Sequence, residues 1–250
     1  MSWLTRRCVV ADPVTRSAGS QTLSRGLRVL EVLANSPSAM SIDQVAHALG
    51  LHRSVCYRLV RTLEDHGLVV RDQLGKLALG VRLVALGASV ERDMRATALP
   101  LLTLAAQRLA MTCFLAIEDR GECLTVTSVE PPHQETVIAQ RPGARHPIQD
   151  GATGRAILAI MDEASWPEGI SDEVRANVHE IRRCGWAESY SQVIPGLYGV
   201  AIPVRFEDGR LGSVGALSLF HATGEHLNRV LEGLRTVETG LVEAGVGTLR

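Results

Sequence analysis

No C-x-x-C occurs in this chain, and its five cysteines, Cys8, Cys56, Cys113, Cys123 and Cys184, are odd in number and far apart. A disulfide framework or a structural zinc site is thereby disfavoured, and a reducing, cytoplasmic setting fits best. No run of about 18 apolar residues could span a bilayer, and the opening MSWLTRRCVVADPVTRSAGS has no apolar core of signal-peptide length. G-x-S-x-G is missing, and GATGR at 151–155 is too short for a phosphate-binding loop and lacks its lysine. His133, His146, His221 and His226 share no metal-ligand spacing. Cys113 and Cys123 lie in strand-like runs, where thiols are packing groups more often than nucleophiles. Repeats and low-complexity segments are absent too. The expectation is a protein that is no enzyme and has no cofactor, no metal and no membrane segment.

What is present is uneven in charge. The net charge is −1, yet residues 1–80 carry a balance of +4 and the remainder −5. A basic first part ahead of an acidic remainder suggests a nucleic-acid-facing module joined to another. The first twenty residues read as a loose tail. SRGLRVLEVLANSP at 24–37 then sets Leu27, Leu30, Leu33 and Ala34 on a helical stripe and stops at Asn35-Ser36-Pro37. MSIDQVAHALG at 40–50 begins with a capping box, Ser41 to Gln44, and a hydrophobic staple from Met40 to Val45. Gly50 ends that helix, and LHRSVCYRLVRTLEDHG at 51–67 starts the next, the spacing of a helix-turn-helix.

On a helical wheel of about 100° per residue, Arg53, Tyr57, Arg61, Ser54 and Arg58 share an arc of roughly 140°. Val55, Leu59, Leu63, Cys56 and Val60 take the other side and would pack against Ile42, Val45 and Leu49. LVVRDQLGKLALG at 68–80 reads as a small hairpin turning at Asp72-Gln73-Leu74-Gly75, with Arg71 and Lys76 near its tip. A helix, a helix-turn-helix and a wing make a winged helix.

The rest of the chain alternates helices and strands. VRLVALGASVERDM (81–94) reads as a bridging helix with an apolar seam, suited to pairing with another chain or to packing within one. A helix is expected over 97–110 with Pro100 near its start, then strands at TCFLAIED and CLTVTSVE, and a third at 134–140. Helices follow over 150–162 and 172–185, the latter stopped by Gly185, then a hairpin over 197–220 turning at Asp208-Gly209, and a last helix over 224–245. The fold class is α+β, a sheet domain with helical layers.

The segments SRGLRVLEVLA, SIDQVAHALGLHRSVCYRLVRTLEDHGLVVRD, KLALGVRLVALG, RPGARHPIQDGATGRAILA, PGLYGVAIPV and DGRLGSVGALS follow one another between about Leu23 and Gly245. In that order they resemble the IclR family of bacterial transcription regulators. The resemblance implies a tail at 1–19, a winged helix-turn-helix DNA-binding domain at 20–80, a linker and dimerisation helix at 81–98, and a GAF-like mixed α/β effector domain at 99–247. It implies a repressor or activator that binds operator DNA as a homodimer or homotetramer and answers to a small effector, commonly a carboxylic acid.

The helix from about His52 to Asp65 would then be the recognition helix. Arg53, Ser54, Tyr57, Arg58 and Arg61 would face the major groove, since a guanidinium can bond guanine through two donors. Gln44, Arg25 or Arg28, and Lys76 on the wing are further candidates for DNA contact. At the GATG turn, backbone N–H groups and the positive end of a helix dipole could hold a carboxylate. Family pocket positions carry over to Ala152, Thr153, Gly154, Ser189, Gly199, Ala216 and Ser218. Ser189 stands where many members have an acid, Gly199 where cysteine is common, and Ala216 where a hydroxyl is common. A roomier, less polar pocket for a larger or aromatic acid is therefore expected. Two other readings remain open: a winged helix that mediates protein contacts, and glycines at 151–154 that only permit a tight turn.

Overall fold

The computed structural model describes residues 19–87, 92–132 and 140–248. The chain divides into two units, Met1–Val90 and Glu91–Arg250. The expected tail, the strand at 134–139 and the middle of the expected 81–94 helix lie outside the described residues.

The first unit holds α1 (Gln21–Ala34), α2 (Ile42–Leu49), α3 (Arg53–Asp65), β1 (Val69–Arg71), β2 (Leu77–Leu79) and α4 (Arg82–Gly87). Ser20 caps α1 by accepting from Leu23 N. The capping box of α2 is complete: Ser41 Oγ accepts from Gln44 N at 3.3 Å and Gln44 Oε1 from Ser41 N at 2.7 Å. Gly50 closes α2 at φ +63°, a left-handed conformation that glycine adopts without Cβ strain. Val29, Val45, Cys56, Val60 and Leu77 are fully buried in one cluster, with Ile42, Leu59 and Leu63 beside them and Met40, Leu49 and Val55 at its edge. Leu77 and Met40 exchange both backbone hydrogen bonds (3.0 and 2.7 Å), which ties the wing to the turn before α2. This is a winged helix-turn-helix.

In the second unit, α5 (Arg92–Leu109) leads into β3 (Thr112–Asp119), β4 (Glu122–Val129) and β5 (Arg145–Pro147). Next come α6 (Gly151–Ile160), α7 (Asp172–Cys184), β6 (Ala187–Tyr190), β7 (Tyr198–Phe206), β8 (Leu211–Ser218), α8 (Gly224–Glu243) and β9 (Gly247–Thr248). The sheet runs β5-β4-β3-β8-β7-β6, with β9 against β7, and every pairing is antiparallel. Alternation splits its side chains between two cores. Cys113, Leu115, Val200, Ile202, Val214 and Ala216 pack with α5 and α8 on one face. Phe114, Ala116, Ala187 and Ala201 pack with α6 and α7 on the other. The α+β class holds, as helix layers cover both faces of an antiparallel sheet.

One expectation changes. The helix expected over 97–110 begins at Arg92, so Pro100 lies inside α5 instead of near its start. Proline there removes one backbone bond, which burial of Met94, Ala98, Leu102 and Ala106 offsets.

Candidate functional site

The first candidate surface is the polar face of α3. Arg53, Ser54, Tyr57, Arg58 and Arg61 are all exposed, and the buried face comprises Cys56, Leu59, Val60 and Leu63. His52 caps the helix, its Nδ1 receiving Ser54 N at 3.4 Å and lying 2.9 Å from Ser54 Oγ. Arg58, Arg61 and Lys76 make no side-chain bond among the described residues, so their charges are available to a ligand. Arg53 is different: its Nη1 lies 2.7 and 2.6 Å from the two Asp43 carboxylate oxygens on α2. Arg71 is held by Glu64 and by the Gly75 carbonyl, so it belongs to the wing's own scaffold. Gln44 is committed through its Oε1 to the capping box, which leaves only its amide nitrogen for an outside partner. Arg25 is half-buried on α1 and Arg28 exposed.

The second candidate is a pocket in the other unit, between the N-terminal end of α6 and the strands β6, β7 and β8. Its free interior is small, about 30 Å³. Ala152, Thr153, Ser189, Gly199 and Ala216 border it. No lysine or arginine is among the described lining residues, so polarity comes from Gln140, His146, Thr153, Ser189, Gln192 and backbone N–H groups. His146 Nδ1 lies 3.0 Å from the Pro147 carbonyl, which makes it the protonated nitrogen and leaves Nε2 as an acceptor in the neutral ring. Burial pushes the Cys123 thiol pKa up to about 12, with Thr153 and then Arg145 pulling it down.

Gly154 and Ser218 are not at the pocket. A Cβ on Gly154 would stand 2.1 Å from the Ile148 carbonyl oxygen, so this glycine serves the close approach of α6 to the preceding backbone. Ser218 pairs with Tyr198, and its hydroxyl accepts from Phe220 N. Ala216 touches the pocket, but its side chain packs in the core under α5 and α8. Leu217, opposite Gly199, is the β8 side chain on the pocket face. Nor does Gly199 leave room: Leu217 Cδ2 and Ser189 Oγ lie 3.2 and 3.3 Å from where its Cβ would be.

Sequence reasoning missed Phe114, Gln140, His146 and the segment 192–197. Pro195-Gly196 was a turn signal just before β7, yet nothing local showed that this turn would cover α6.

A family model described as the IclR helix-turn-helix domain matches residues 22–73. One described as Bacterial transcriptional regulator IclR C-terminal matches residues 87–237. The HTH-type transcriptional regulator Rv1719 of Mycobacterium tuberculosis is 30% identical over 148 residues, 59% of this chain and 57% of that protein, so the match spans little more than half of its length. The HTH-type transcriptional regulator XynR of Escherichia coli is 26% identical over 217 residues, 80% of this chain and 85% of that protein. Among solved structures, an IclR regulator from Alicyclobacillus acidocaldarius matches with TM-score 0.80 and 28% identity, over 91% of this chain and 100% of that one. An IclR homologue of Microbacterium hydrocarbonoxydans, solved with 4-hydroxybenzoate, shares the fold at TM-score 0.73 and 24% identity, over 89% and 99%. These relatives are regulators, not enzymes, and among the described residues no helix is long and apolar enough to cross a membrane. With more than half of the chain matched by the family's C-terminal model and its first unit by the helix-turn-helix model, the chain belongs to the IclR family of DNA-binding transcription regulators.

Proposed function

We propose that this chain binds a specific operator through α3 and that a small carboxylic acid in the pocket beside α6 controls that binding. The observation that carries the DNA part is the exposed arc of Arg53, Ser54, Tyr57, Arg58 and Arg61 on a helix anchored by a buried opposite face. Arg58, Arg61, Arg25 and Lys76 supply phosphate contacts or base readout. Residues 20–80 are then the DNA-binding domain, 81–98 the linker and dimerisation segment, and 99–247 the effector domain. Val81, Val84 and Leu86 are 85%, 75% and 53% exposed, which supports pairing with a second copy along this segment, as a homodimer or homotetramer. A symmetric dimer reading two half-sites is the usual arrangement for a helix-turn-helix.

The effector part rests on the pocket's mix of apolar walls and backbone donors, without a cationic side chain among its described lining residues. Phe114, Val193, Ile194, Leu197 and Leu217 suit an apolar body, and the α6 N-terminus suits its carboxylate. A larger or aromatic acid fits this lining better than a two-carbon acid. A thermal-shift panel tests this: benzoate and 4-hydroxybenzoate raise Tm, and acetate and glyoxylate do not. Stabilisation by the short acids alone would overturn it.

A further inference from the structure

The first two backbone donors of α6 are already taken. Gly151 N donates to Gln192 Oε1 at 3.2 Å, and Ala152 N to Ser189 Oγ at 3.0 Å. Val193 Cγ2 sits 2.7 Å from where a Gly151 Cβ would be, so the apolar side chain of the same segment closes over the glycine. Asp150, the residue that would ordinarily cap the helix, makes no side-chain cap bond. The partners are supplied from 41 and 37 residues away in sequence.

The segment that brings them is a short strap. Ser191 N donates to the Leu197 carbonyl and Gly196 N to Ser191 Oγ, so 191–197 closes on itself between β6 and β7. Ser191 has φ +54°, a left-handed conformation that costs a non-glycine residue energy. Independently of the helix end, Gln140 borders the same pocket at 8% exposure. Its Nε2 donates to Thr125 Oγ1 at 2.8 Å, which fixes this amide at the pocket wall.

Resting on the effector reading above, we infer that the 191–197 strap is a built-in occupant of the pocket, with Gln192 holding the place of the effector's carboxylate. An acid enters by displacing Gln192 from Gly151 N, and the strap then lifts. The exchange favours anions: a carboxylate gives charge-assisted bonds, roughly twice as strong as those of a neutral amide oxygen, and it gains from the helix dipole. A neutral ligand offers nothing that Gln192 does not already supply. Gln192 is thus a specificity-determining residue, and it selects for acids in a pocket without a cationic side chain among its described lining residues.

The test is isothermal titration calorimetry on the full chain at neutral pH, with benzoate, 4-hydroxybenzoate, acetate and benzamide as probes. Gln192→Ala removes the competitor and binds benzoate about tenfold more tightly than the natural chain, the worth of one hydrogen bond. Gln192→Glu installs a permanent carboxylate and binds benzoate about tenfold more weakly. Benzamide binds the natural chain far more weakly than benzoate. Opposite shifts in the two variants cannot arise from a merely structural role, and they keep the inference testable if one variant folds poorly. Benzoate bound equally by all three proteins, or more weakly by Gln192→Ala, would overturn this inference and leave the effector reading standing. Failure of every acid to bind any of the three would overturn both.

Discussion

Asp43 on α2 grips Arg53 at the start of α3: one guanidinium nitrogen lies 2.7 and 2.6 Å from the two carboxylate oxygens, and Nε and Nη2 remain unpaired among the described residues. Both side chains are more than half exposed, 66% for Arg53 and 59% for Asp43, so the pair contributes little to stability, about 0–1 kcal/mol. Its consequence is orientation. A guanidinium steadied at one corner presents the remaining donors in a fixed fork, the geometry that bidentate base readout needs. Asp43→Ala therefore leaves the melting temperature nearly unchanged. It raises affinity for unrelated DNA by removing a negative charge, and it lowers the ratio of specific to non-specific binding by about tenfold. Competition binding against unrelated DNA measures that ratio.

Arg58 and Arg61 carry no intramolecular partner among the described residues, so their removal is felt in DNA binding and not in folding. A cation that neutralises one phosphate adds about 0.9 to the steepness of log K against log salt. Arg61→Ala reduces the steepness by that amount if Arg61 meets phosphate. If it meets a base, the substitution costs about 1–3 kcal/mol at one operator position with the slope unchanged. Affinity titrations at several salt concentrations separate the two.

Gly154→Ala places a methyl 2.1 Å from the Ile148 carbonyl oxygen, a backbone atom that cannot swing aside. Overpacking of this kind costs about 1–3 kcal/mol. Chemical denaturation of the variant shows that loss in the unit that carries α6.

Glu163 receives hydrogen bonds from Arg182 and His179, and these, Arg182 first, hold its carboxyl below the usual carboxylate range. A carboxyl depressed in the folded state adds stability that is fully present above its unfolded value, about 4.3. That stability is lost as pH falls through the lower, folded value. Glu163→Gln consequently flattens the acid limb of a Tm–pH profile below about pH 4.5 and leaves its shape at pH 7 to 8 unchanged.

What could be read from the sequence was whatever local chemistry dictates. Ser41 and Gln44 mark the start of α2, Gly185 the end of α7 with φ +82°, and Asp208-Gly209 the turn between β7 and β8. The buried face of α3 follows from a period of 3.6. The short strands β5, β6 and β9 have no such signal, because two to four residues carry no period and their partners lie elsewhere in the chain. The pocket suffers most. Ala216 and Ser218 share a face, but pairing of Gly199 with Leu217 turns that face toward α5 and α8, and a one-residue difference in register moves every side chain across the sheet. Gln192 and Val193 reach α6 only through the tertiary fold.

Whether α3 reads an operator under the control of an acid is decided by fluorescence anisotropy of the full chain on the DNA upstream of its own gene. An unrelated fragment of equal length is the control, and salt is raised stepwise. The predicted result is tighter binding to the upstream fragment, weakening steeply with salt as phosphate neutralisation requires, and a changed affinity once a binding acid is added. No binding to either fragment at low salt would contradict it and turn the winged helix toward protein contacts.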